Sequence, residues 1–159
     1  MKAEALAPEA ASSALDQSRL TTLVGYAASR AAIELRKTFA RHLGPLGLKV
    51  LDYSILVLVA SNPEVNQKQL GEALDVAPPN MAAAIDRLVE AGWVERVRST
   101  RDRRAMLIHL TDSGHELLRR AEAIAATMEQ EPLRGLSSAE RALLVELLLK
   151  VAGLAARVV

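Results

Sequence analysis

The sequence predicts a mainly α-helical winged helix-turn-helix, α+β if the wing is counted, with dimerisation helices at both ends. Three observations carry this reading. The stretch Arg96 to Arg104, RVRSTRDRR, holds five of the chain's twenty basic residues and one acid in nine positions. Its flanks have strand character. Trp93-Val94-Glu95-Arg96-Val97 is too short for a helix, and Met106, Ile108 and Leu110 alternate with Ala105, Leu107 and His109. Two helical segments stand immediately before, Gln67 to Leu74 and Pro78 to Ala91, the second closed by Gly92. Helix, tight turn, helix, basic hairpin is the order in which a second helix enters the major groove and a hairpin reaches toward the minor groove.

The remaining elements follow from periodicity and breakers. Residues 1–16 are rich in Ala, Ser, Pro and Glu and read as a disordered tail. From Ser18 to Leu43, apolar residues at Leu20, Leu23, Val24, Ala27, Ala31, Leu35, Phe39 and Leu43 predict one long helix that ends before Gly44-Pro45. Leu51 to Ala60 is almost wholly apolar apart from Asp52 and Ser54, so it should be buried. Asn66 with Gln69 forms a capping-box pattern for the helix at Gln67. Pro78 and Pro79 suit a first helical turn, and Met81, Ile85, Leu88 and Val89 mark the buried face of that helix. Thr111 caps a helix from Asp112 to about Gln130, which Pro132 and Gly135 terminate. The last helix opens with a second capping box, Ser137 to Glu140, and carries Leu143, Leu144, Leu147, Leu148, Val151, Leu154, Ala155 and Val158. A stripe that apolar covers its own core or packs on another chain. The expected plan is one domain over 17–159. Its winged lobe spans 48–111, and dimerisation helices span 18–43 and 112–158.

Composition narrows the partners. A net charge of +1 is no argument for nucleic acid by itself, but the arginines are concentrated in one loop and many acids in the C-terminal third. With only Tyr26, Phe39, Tyr53 and Trp93 as aromatic residues, stacking on single strands or RNA is disfavoured, and double-stranded DNA is the expected partner. The absence of cysteine removes disulfides, thiolate metal sites and thiol redox switches, and fits a cytoplasmic protein. No signal-peptide pattern or membrane-length apolar run is present, so no membrane association is expected. His42, His109 and His115 lack the spacing and companion ligands of a metal site, and His115-Glu116 has no nucleophile beside it. Neither a cofactor nor an enzymatic activity is expected.

From Leu43 to Gly114 the chain resembles the multiple-antibiotic-resistance regulator (MarR) family of bacterial transcription factors. The resemblance rests on Leu70-Gly71-Glu72-Ala73-Leu74, on the run Ile85 to Arg96, and on Asp102-Arg103-Arg104-Ala105 followed by Leu110-Thr111-Asp112-Ser113-Gly114. The Asp-x-Arg of the wing with a downstream Leu-Thr-x-x-Gly is its most diagnostic part. It implies a homodimeric repressor with interlocking terminal helices, a pseudo-palindromic operator, and release by a small aromatic ligand. It also implies that Arg104 enters the minor groove, with Asp102 holding its guanidinium. Arg101 and Arg103 would then touch phosphates, Arg96 and Arg98 would flank the strand, and Asp86 and Arg87 would form an ion pair or reach DNA.

Two positions depart from the family pattern. Ala77 stands where Ser or Thr often caps the recognition helix, and Ala83 where an Arg often contacts DNA. Pro79, Asn80, Ala82 and Ala83 then form the reading surface, with Asn80 suited to adenine and the alanines to thymine methyls. An effector pocket is expected where the first, second and fifth helices meet. Tyr26, Arg30, His42, Tyr53 and His115 are its candidate contacts for an aromatic acid or a related thioester. Two other functions compete with this one: a winged-helix dimerisation or protein-interaction module that does not bind DNA specifically, and the dimerising part of a methyltransferase. The chain lacks room for a cofactor-binding catalytic half.

Overall fold

The computed structural model describes residues 15–99, 101 and 105–154. The chain divides into two compact units, with the boundary between Ile33 and Glu34. The first contains a single helical turn, α1 (Ser18–Thr21), and the opening half of α2 (Val24–Leu43). The expected continuous helix from Ser18 is interrupted at Thr22 and Leu23. Two adjacent threonines account for the break: Thr21 Oγ1 donates to the Ser18 carbonyl and Thr22 Oγ1 to that of Arg19, both at 3.1 Å, giving the backbone a local alternative to the helical ladder.

The second unit carries the winged lobe. After α2 come a short 3-10 turn (Gly44–Leu46), α3 (Val50–Ser61), α4 (Gln67–Leu74) and α5 (Pro78–Glu90). The antiparallel hairpin of β1 (Val94–Arg98) and β2 (Met106–Leu110) leads into α6 (Asp112–Met128) and α7 (Ser138–Val151). Val94 pairs with Leu110 and Arg98 with Met106. The chain before α4 adds a short third edge, where Ile108 N donates to the Val65 carbonyl at 2.9 Å. One core joins the layers: Leu43 from α2, Ile55 and Leu56 from α3, Leu70 from α4, Met81, Ile85 and Leu88 from α5, Val94 and Ile108 from the hairpin, and Leu118 from α6.

Helix starts agree with their caps. Asn66 and Gln69 exchange backbone-to-side-chain bonds at 3.0 Å in both directions. Ser137 and Glu140 do the same at 2.8 and 3.3 Å, and Thr111 Oγ1 accepts from Gly114 N at 3.0 Å. Helix ends differ from expectation. Helix α6 stops at Met128 rather than Gln130, because Pro132 has no amide to donate and its ring would strike the Met128 carbonyl. Helix α7 stops at Val151 rather than continuing to Val158. Gly153 at φ +69° lets its own amide return to Lys150 and that of Leu154 to Leu149, so the helix closes there. Leu154 therefore lies beyond the helix, and Ala155 and Val158 fall outside the described residues. Among the described residues no single helix is long and apolar enough to cross a membrane.

Candidate nucleic-acid interface

Helices α4 and α5 are joined by a turn in which Asp75 takes the left-handed conformation, φ 51° and ψ 46°. A short polar side chain tolerates that conformation better than a bulky one. Ala77 caps α5 without a side-chain bond, and the two prolines that follow contribute no amide. The next two amides, Asn80 and Met81, both donate to the Ala77 carbonyl at 3.0 Å. Residues 78–81 therefore offer no spare backbone donor to a phosphate, which leaves mainly side chains to make contacts from this part of the helix.

Met81, Ala84, Ile85 and Leu88 seat α5 in the core, while Pro79, Asn80 and Ala83 are exposed. Ala82 is half-buried, as is Val89. Toward its C-terminal end the same helix is held by two ion pairs that sequence reading did not resolve. Asp86 and Arg87 do not pair with each other. Arg87 bonds to the carboxylate of Asp52, a buried residue of α3 that also accepts Lys49 N at 3.0 Å. Asp86 bonds to Arg96 on β1. Helix α5 is thus tied to α3 on one side and to the wing on the other. Arg87, expected among the DNA contacts, is committed to a buried acid, and losing either partner of such a pair is costly because the other remains as a desolvated charge.

Arg101 lies at the wing turn with 80% of its side chain exposed, and its Nη1 bonds to Glu64 Oε2 at 3.0 Å. The hairpin closes below it through Ser99 N and the Ala105 carbonyl, 3.0 Å apart. Arg98 is exposed on β1. Asp102, Arg103 and Arg104, the centre of the expected minor-groove contact, lie outside the described residues.

The candidate effector residues fall into two groups. Tyr26 and Arg30 stand one turn apart on the first half of α2, and the Tyr26 hydroxyl bonds to Gln17 within the same unit. In the second unit, the Tyr53 ring meets Phe39 edge-on with centroids 5.9 Å apart, and burial together with the nearby Glu122 pushes its hydroxyl above the usual phenol range. His42 Nδ1 lies 2.9 Å from the Thr38 carbonyl, a local helical bond. His115 is exposed on the first turn of α6. Two open grooves lie elsewhere, beside α4. One of about 740 Å³ runs between Leu58, Asn62, Glu64, Gln69, Ala73 and Arg101, and one of about 600 Å³ between Lys68, Asp75, Ala77 and Met81. No group of three or more potential metal ligands occurs among the described residues.

Sequence reading passed over Asp52 and Glu64. A single acid in an otherwise apolar helix was a signal for Asp52, since a charge on a buried segment needs a partner. Nothing in the local sequence marked Glu64, whose partner lies 37 residues away.

Comparison with known proteins agrees with this arrangement. The family model for the MarR family matches residues 46–105, from the turn after α2 to the wing. A protein of Thauera aromatica named for transcriptional regulation of the hcr operon is 32% identical over 126 residues, covering 79% of this chain and 76% of that protein. The transcriptional repressor CouR, solved on a 23-mer DNA duplex, superposes with a TM-score of 0.83 at 33% identity, covering 88% of this chain and 99% of that one. CouR bound to p-coumaroyl-CoA gives a TM-score of 0.79 at 31% identity, over 87% and 98%. Identity at that level along nearly the whole length of a repressor, on a shared helix-turn-helix and wing, places this chain in the MarR family of transcriptional regulators.

Proposed function

We propose that this chain is a homodimeric repressor that binds a pseudo-palindromic DNA duplex and leaves it on binding a small aromatic ligand, acting by binding alone without catalysing a reaction. The observation that carries it is the exposed opening of α5, with Pro79, Asn80 and Ala83 outward, beside a wing turn of concentrated arginine. In this reading residues 48–111 form the DNA-binding lobe, and the helices within 18–43 and 112–158 dimerise. Asn80 and the methyl groups of Ala82 and Ala83 read base edges, while Arg101 and Arg103 hold phosphates. Arg104, steadied by Asp102, enters the minor groove. Arg87 acts as a positioning residue through Asp52.

The dimer is supported by apolar surface the chain leaves uncovered. Helix α7 exposes Leu143, Leu144, Val145, Leu147, Leu148 and Val151, and among α7 residues only Arg141 and Leu149 are half-buried. A helix apolar on nearly all sides belongs in an interior, and a second copy supplies one.

A mobility-shift titration on DNA from upstream of the protein's own coding sequence tests the reading. Arg104→Ala should weaken specific binding by about tenfold or more, since it loses groove shape as well as charge, whereas Arg98→Ala should cost about two- to threefold, the loss of one phosphate contact at most. Equal losses at fixed salt would remove the role given to Arg104.

The ligand assignment draws on the p-coumaroyl-CoA held by the related CouR and on the Tyr53–Phe39 pair. A ligand that lowers DNA affinity must bind the DNA complex more weakly by the same factor. Calorimetry with aromatic acids and their coenzyme A thioesters should therefore find a binder whose affinity falls when operator DNA is present. Equal affinity in both states, or no binder in the series, would exclude an aromatic-responsive switch.

A further inference from the structure

We infer that Glu64 is a built-in competitor of DNA for the wing arginine Arg101, setting how tightly the wing holds the phosphate backbone without affecting which sequence is read. The inference rests on the DNA-binding reading above and adds a residue that faces the wing from outside it. Glu64 lies in the short connection between α3 and α4, where Pro63 precedes it and Val65 pairs with β2. That pairing, Ile108 N to the Val65 carbonyl at 2.9 Å, ties the position of the Glu64 backbone to the base of the wing. From there the carboxylate reaches across the 740 Å³ groove to Arg101 at 3.0 Å.

Both side chains are largely exposed, at 80% for Arg101 and 60% for Glu64, so the pair is weak and open to exchange. A duplex phosphate presented to Arg101 must displace the carboxylate or share the guanidinium with it. Either way an acid within a few ångströms of the guanidinium stays near the phosphate and repels it through less than one screening length. The other wing-proximal arginine with a described acid partner, Arg96, is bound to Asp86 on the recognition helix itself and is less exposed, at 33%. Among the described wing arginines, Arg101 is therefore the one whose acid partner DNA can replace without disturbing α5. Phosphate contacts carry no sequence information, so the effect falls equally on every duplex.

The test is a fluorescence-anisotropy titration of full-length wild type, Glu64→Gln, Arg101→Gln and the double variant. Each is titrated against the upstream duplex and a scrambled duplex of equal length, at low and at higher salt. Glu64→Gln should bind both duplexes about two- to fivefold more tightly at low salt, with their affinity ratio unchanged and the gain shrinking as salt rises. Arg101→Gln should cost more in the Glu64→Gln background than in wild type. Melting temperatures should match throughout, because an exposed pair contributes little to stability. Unchanged or weaker binding by Glu64→Gln, a gain confined to one duplex, or additive effects of the two substitutions would overturn the inference while leaving DNA binding intact. Failure of the wild type to bind either duplex would instead refute the DNA reading itself, and the inference with it.

Discussion

Gly114→Ala should destabilise the protein by about 3–5 kcal/mol, lowering its melting temperature by about 10 °C, although alanine is ordinarily the better residue in a helix. Gly114 is buried in the first turn of α6, where that turn presses on the chain at the start of the wing. A Cβ there would sit 1.9 Å from the Trp93 carbonyl oxygen and 2.9 Å from its carbon. Both obstacles are backbone, so no rotamer change relieves them. The helix would have to withdraw from the strand, breaking the bonds that join them. Thr111 N donates to the Trp93 carbonyl at 3.1 Å, and the hydroxyls of Thr111 and Ser113 both reach the Gly92 carbonyl at 2.6 Å. Thermal or denaturant unfolding reads the result directly. A variant as stable as wild type would show that the approach of α6 to Trp93 is not a constraint. This contact also supplies a physical reason for the Leu-Thr-x-x-Gly string: the threonine caps the helix and reaches the wing, and the glycine lets the two backbones meet.

Removal of α7 should abolish the folded dimer. Leu143, Leu144, Val145, Leu147, Leu148 and Val151 are between 38% and 77% exposed in the single chain. In the proposed dimer, completing their burial against a second copy would contribute on the order of 5 kcal/mol per protomer, taking each as worth about half of a fully buried aliphatic side chain. With that area gone, only the smaller exposed apolar set of Leu20 on α1, Leu23 in the break and Val24 at the start of α2 remains, too little to hold two copies together. Truncation before Ser137 should give a monomer, an aggregate or an unfolded chain by sedimentation velocity. Were the truncated chain to sediment as a well-folded dimer, the interface would have to lie elsewhere. A DNA-binding consequence accompanies the first outcome. Two half-sites about one helical turn apart need two recognition helices on one rigid body, so a monomer would bind a palindrome far more weakly.

The sequence by itself determined the order of the longer elements from α2 onward, the starts of the helices after α3 and the hairpin. Each of these is encoded within a few residues: Asn66 and Gln69 bond to each other's backbone, Ser137 and Glu140 do the same, and the two short strand-forming runs pair as the hairpin. The break at Thr22 and the stop at Gly153 were equally local, but apolar periodicity ran through both and masked them. What only the tertiary structure decided is which charges meet. Asp86 and Arg87 are neighbours in sequence, yet side chains one residue apart on a helix point in directions about 100° apart. One therefore faces Arg96 of the wing and the other the buried Asp52. In the same way Arg101 finds Glu64 only because the edge formed at Val65 brings the α3–α4 connection against the hairpin. Charge run and motif point to DNA from the sequence alone. How much of that charge is already engaged by the protein's own acids depends on distances between segments far apart in the chain, which no local pattern encodes.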